Sequence, residues 1–119
     1  MQKVLQQLTD AIGYGEAIVV CRRWGGRELR IPVKVAPTDP LALTLGLETA
    51  SKLVAAFGDQ RLLIPHERAA LLDMRNAAIW RACMVDGRSH ETVAIEFGLT
   101  RPGVSAVLRK LREREGAPA

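Results

Sequence analysis

The chain is poor in the residues that most chemistry needs. Aromatic side chains are only 4% of its 119 residues, with two cysteines and two histidines. A core must therefore be packed by aliphatic side chains, which a hydrophobic content of 48% can supply. Cys21 and Cys83 are isolated in apolar surroundings, as expected of reduced thiols in a cytosolic protein. With His66 and His90 they make no CxxC or HxxxH spacing, so no metal site is expected. His66 and His90 read as residues of helix starts. No carboxylate pair or nucleophile–base set stands out. Gly25-Gly26 lacks the lysine and the serine or threonine of a P-loop, and it precedes a strand pattern instead of a helix. An enzyme with catalytic residues is not expected, nor is a cofactor. No run approaches the roughly 18 apolar residues of a membrane span, and the start of the chain lacks the pattern of a signal peptide. A soluble, intracellular protein is expected.

What the chain does have is positive charge in one place. Its formal net charge is +4, a balance that favours anionic partners. From Arg101 to Arg114 five basic residues (Arg101, Arg109, Lys110, Arg112, Arg114) stand against Glu113 alone. That window carries the whole net charge, and the rest of the chain is neutral.

The same window belongs to the most constrained motif in the sequence. His90 to Arg109 reads as a helix-turn-helix. Ala94 is small where two helices must touch, and Gly98 accepts the positive φ of the turn. Val93, Phe97, Leu99, Val104, Val107 and Leu108 fall where the helices bury apolar surface against each other. Ser89 is a good N-cap for the first helix, and Thr100 caps the second, whose first turn tolerates Pro102. Val104, Val107, Leu108 and Leu111 make its buried stripe. In such a unit the start of the second helix meets base edges. Thr100, Arg101, Ser105 and Ala106 are therefore the candidates for base contact. Arg101 suits guanine and Ala106 a thymine methyl. Ser89, Arg109, Lys110 and Arg112 are assigned to phosphates. Gly103 lies inside this helix, explained either by a close approach of DNA or by simple tolerance.

Upstream, the chain repeats itself at an offset of 33 residues. Gly13 matches Gly46, Ala17 matches Ala50, and Trp24-Gly25 matches Phe57-Gly58; Leu29, Ile31 and Pro32 match Leu62, Ile64 and Pro65. Each copy reads as a short helix, a glycine stop, a short strand and a proline. The helices are expected over 16–24 and 49–57. The strands are expected from alternation at Leu29, Ile31, Val33 and Val35, and over 60–64. Pro37 and Pro40 mark the linker between copies. Two copies do not make an ankyrin stack, which has two helices per unit and no such strand. A two-stranded sheet needs cover, so the strands pair with each other or with a second chain. Arg22, Arg23, Arg27 and Arg30 form a basic face that either touches phosphates or is simply solvated. A long helix follows over 67–85, with Leu71, Leu72, Ile79, Ala82 and Cys83 on one apolar face, widened by Trp80 and Met84. Gly87 terminates it.

The expected fold is mainly α. A small α+β assembly module of two helix-strand units (1–65) precedes a helical helix-turn-helix domain (66–114), and 115–119 form a disordered tail. The segment from Leu53 to about Arg112 resembles the Mor transcription activator family of phage Mu and related prophages. The resemblance rests on Phe57-Gly58-Asp59-Gln60-Arg61-Leu62-Leu63-Ile64-Pro65, Arg75-Asn76, Asp86-Gly87-Arg88-Ser89 and Phe97-Gly98-Leu99-Thr100. It implies a homodimer that binds a two-fold element in double-stranded DNA and recruits RNA polymerase, in the bacterial cytoplasm at the nucleoid. Here that dimer would form through the N-terminal strands. Two departures stand out: the family's glycine pair is Gly58-Asp59, and an extra helix-strand copy precedes the familiar one. The expected function is a sequence-specific activator of phage or mobile-element genes. The alternatives are a nucleoprotein-assembly component with little sequence selectivity and a protein-interaction module on the same fold.

Overall fold

The computed structural model describes residues 1–114; the expected tail at 115–119 lies outside the described residues. The described residues are mainly helical, with one two-stranded sheet. They fall into two compact units, Met1–Leu71 and the part from Leu72 onward.

In the first unit each copy contains two helices where one was expected. Helix α1 (Lys3–Ile12) is capped by Gln2, whose side chain accepts the Leu5 N–H at 2.8 Å. It ends at Gly13, and α2 (Tyr14–Trp24) starts at the next residue. Helices α3 (Pro40–Leu45) and α4 (Leu47–Phe57) meet in the same way at Gly46. Gly13 and Gly46 share a φ of +86°, a conformation that side-chain-bearing residues rarely adopt. The glycine is thus a corner between helices and not merely a stop. Pro40, expected in a linker, occupies the first turn of α3, with Asp39 accepting the Leu41 N–H at 2.9 Å.

Strands β1 (Glu28–Arg30) and β2 (Arg61–Leu63) pair antiparallel, with Glu28 opposite Leu63, Leu29 opposite Leu62 and Arg30 opposite Arg61. Of the two routes open to the sequence, the strands take the one within the chain. Each strand pairs along one edge, and no further strand covers its other edge among the described residues. Val33 and Val35 do not extend β1, and Val33 is exposed. Pro32 has no N–H to continue the ladder. The last ladder groups are the Ile31 N–H, which donates to the Gln60 carbonyl at 2.8 Å, and the Ile31 carbonyl, which accepts from Asp59 at 2.9 Å.

One face of this small sheet is apolar and covered. Leu62, Ile31 and Ile64 are buried with Leu5, Leu8, Ala17, Val20, Leu41, Ala50, Leu53 and Phe57. Helix α1 packs on α4 and α3 on α2, so each copy covers the other. The outer face carries the exposed pairs Glu28–Arg61 at 3.5 Å and Arg30–Asp59 at 3.0 Å, each contributing roughly 0–1 kcal/mol.

Helix α5 (Glu67–Trp80) crosses the boundary between the units and continues as a π-helical turn over Arg81–Val85. Its expected apolar face is corrected in part. Ile79 and Ala82 are buried and Trp80 and Cys83 half-buried, but Leu71, Leu72 and Met84 are about half exposed. Periodicity tells which residues share a face, and the described chain leaves part of this one uncovered. Gly87, at φ +67°, ends the element as expected.

Candidate nucleic-acid interface

Helix α6 (His90–Phe97) begins where the Ser89 hydroxyl oxygen accepts the Thr92 N–H at 3.1 Å and the same hydroxyl donates to Thr92 Oγ1 at 2.7 Å. It ends at Gly98, which is left-handed at φ 67°, ψ 32°. The Leu99 N–H then donates back to the Ala94 carbonyl at 2.8 Å, the six-to-one bond that closes a helix through a left-handed glycine. Helix α7 (Arg101–Arg114) follows at once. Thr100 Oγ1 accepts the Gly103 N–H at 3.1 Å as its cap. Three residues therefore separate the two helices.

The seam matches the expected core. Val93, Ala94, Val104 and Leu108 are buried with Ile79 and Ala82, while Phe97, Leu99 and Val107 pack half-buried against them. Gly98 supplies the turn rather than packing. This core fixes which way α7 faces. Thr100, Arg101, Ser105, Ala106, Arg109 and Lys110 are exposed, Ser89 is exposed before α6, and Arg112 is half-buried. All the expected base-contact residues thus lie on the open side of α7 or at its cap.

One contact at this site was not legible in the sequence. His90 Nδ1 lies 3.2 Å from Ser105 Oγ, tying the start of α6 to the face of α7. A Cβ at Gly103 would stand 3.2 Å from Thr100 Oγ1, a contact met by a small shift of that side chain, and Thr92 holds the same position after the Ser89 cap of α6. The His90–Ser105 contact could not be found without knowing how the helices cross.

Charge separates α7 from the rest. Arg22 pairs with Glu67 at 3.0 Å, Arg30 with Asp59, Arg61 with Glu28, and Arg88 with Glu96. Arg27 donates to the Arg23 carbonyl at 2.8 Å, and Arg23 lies 5.4 Å from the Trp24 ring centre. The N-terminal basic face is thus largely engaged within its own unit. Among the described residues, the five cations of α7 have no acidic partner. No group of three or more potential metal ligands occurs among the described residues, and no helix there is long and apolar enough to cross a membrane. An open groove of about 440 Å³ lies between Trp24, Leu29, Val33 and Leu41. None of the expected site residues lines it.

These features define a small, mainly helical protein in which two helices joined by a three-residue turn present a cationic helix with no acidic partner among the described residues. Its sequence matches the family model of the Mor transcription activator family over residues 34–118, and the chain belongs to that family. The family is one of DNA-binding transcription activators and not of enzymes. Neither a curated protein nor a solved structure gave a significant match.

Proposed function

We propose that the chain is a sequence-specific activator of phage or mobile-element genes that sets α7 into the major groove of duplex DNA. The observation that carries this reading is α7, which holds the whole net charge of the chain and whose cations have no acidic partner among the described residues. Thr100, Arg101, Ser105 and Ala106 lie against base edges, and Ser89, Arg109, Lys110 and Arg112 hold phosphates. RNA polymerase is the protein partner that activation requires. The protein works in the bacterial cytoplasm, at the nucleoid.

Footprinting on the promoters of the element that encodes it tests the reading. A protected site that survives a large excess of random DNA is expected, because a specific regulator prefers its site by roughly a thousandfold or more. Protection without such a preference points to a nucleoprotein-assembly role. No protection at moderate salt would sink the proposal.

A further inference from the structure

The pairing of β1 with β2 has the form of a two-fold contact inside one chain. In an isologous interface, residue i meets j and j meets i. Leu29 faces Leu62, its own equivalent 33 residues later, and Glu28–Leu63 and Arg30–Arg61 are related by the same rotation. The flanking hydrogen bonds come in matched couples. Ile31 N–H donates to the Gln60 carbonyl at 2.8 Å and Ile64 N–H to the Arg27 carbonyl at 3.0 Å. Gly26 N–H donates to the Ile64 carbonyl at 2.8 Å and Asp59 N–H to the Ile31 carbonyl at 2.9 Å. Even the departure at the glycine pair obeys the symmetry, with Asp59 at φ +66° where Gly26 has +77°.

The symmetry stops at the prolines. After Pro65 the chain enters α5 and goes on to the helix-turn-helix. After Pro32 it runs through 33–39 into α3 and begins the second copy. The family match starts at residue 34, so the first copy stands outside it.

We infer that the first copy takes the place of a second protomer, so that the protein reads DNA as a one-headed monomer. One chain then brings one recognition helix to one half-site with no two-fold repeat. The inference rests on the reading of α7 as the DNA-contacting helix. A two-headed protein gains affinity because its second contact is intramolecular. This chain has one head and lacks that gain.

Two measurements on the full chain test it. Glu28→Cys and Leu63→Cys, made together in a Cys83→Ala background, place two thiols directly opposite on the exposed face of the sheet. Oxidation is expected to close the disulfide within a chain that still runs at 13.0 kDa. A disulfide-linked dimer would overturn the inference. Selection from random-sequence duplexes, followed by light scattering of the complex, is expected to enrich a motif without two-fold symmetry that binds one chain per duplex. Two chains on half-sites one helical turn apart would equally overturn it. If no duplex is enriched, the DNA reading of α7 fails and the one-headed reader with it. The cross-link would then still decide whether the strand pairing is fused.

Discussion

Single residues show how much of the fold is set by backbone contact. Gly25 has an ordinary φ, yet a Cβ there would overlap the Cys21 carbonyl oxygen and stand 3.0 Å from both His66 Cα and the Pro65 carbonyl. Those neighbours are backbone and cannot turn aside. Gly98 is the opposite case: a Cβ would meet nothing within 4 Å, and only its φ of +67° resists substitution. Gly25→Ala should therefore destabilise by about 3 kcal/mol, the upper part of the overpacking range, and Gly98→Ala by about 1 kcal/mol. Urea unfolding of the two variants checks the order; equal losses would refute the close approach. Buried Cys21 offers a test through pH. Burial, and then the nearby Glu67 carboxylate, push its thiol up from 9.0 to about 11. The unfolded chain loses this proton near pH 9 and the folded chain keeps it, so the contribution is complete below pH 9 and lost towards pH 11. Stability should fall over that window, and the fall should be weaker in Cys21→Ala.

Among the elements, α6 and α7 were legible because each of their requirements is local: a cap, a left-handed glycine, a small residue at the crossing. The helix pairs α1–α2 and α3–α4 were not, because Gly13 and Gly46 end one helix and begin the next within a single residue. The alternation that placed Val33 and Val35 in β1 was a true pattern with no strand to pair with once Pro32 had ended the ladder. Side-chain roles along α7 can now be separated by position. Arg101 sits in its first turn and Lys110 about two and a half turns later, both exposed. Arg101→Ala should lose roughly 1–3 kcal/mol of discrimination at one base position while other sequences bind nearly as before. Lys110→Ala should weaken every sequence alike and make the salt slope shallower by about 1. Anisotropy titrations on matched and mismatched duplexes distinguish them, and identical behaviour would mean the division of roles is wrong.

At the scale of the whole molecule, charge and symmetry make a joint prediction. The chain outside α7 is neutral, and Arg22, Arg30, Arg61 and Arg88 are held in ion pairs. Salt-dependent binding should then come almost wholly from Arg109, Lys110 and Arg112. Each phosphate neutralised on duplex DNA lowers the slope of log affinity against log salt by about 0.9. One head should therefore give a slope of about −3, and a pair of heads on two half-sites about −5 to −6. Between 50 and 200 mM salt these correspond to a loss of roughly fortyfold against more than about a thousandfold. The measurement is a salt series on a duplex whose stoichiometry has been fixed by mass. A slope near −3 with one chain bound fits a fused strand module carrying a single reading helix. A slope near −6 with one chain bound would mean that the N-terminal arginines leave their carboxylate partners for phosphates. The protein would then grip DNA with both units, and the assignment of the whole electrostatic footprint to α7 would have to be abandoned.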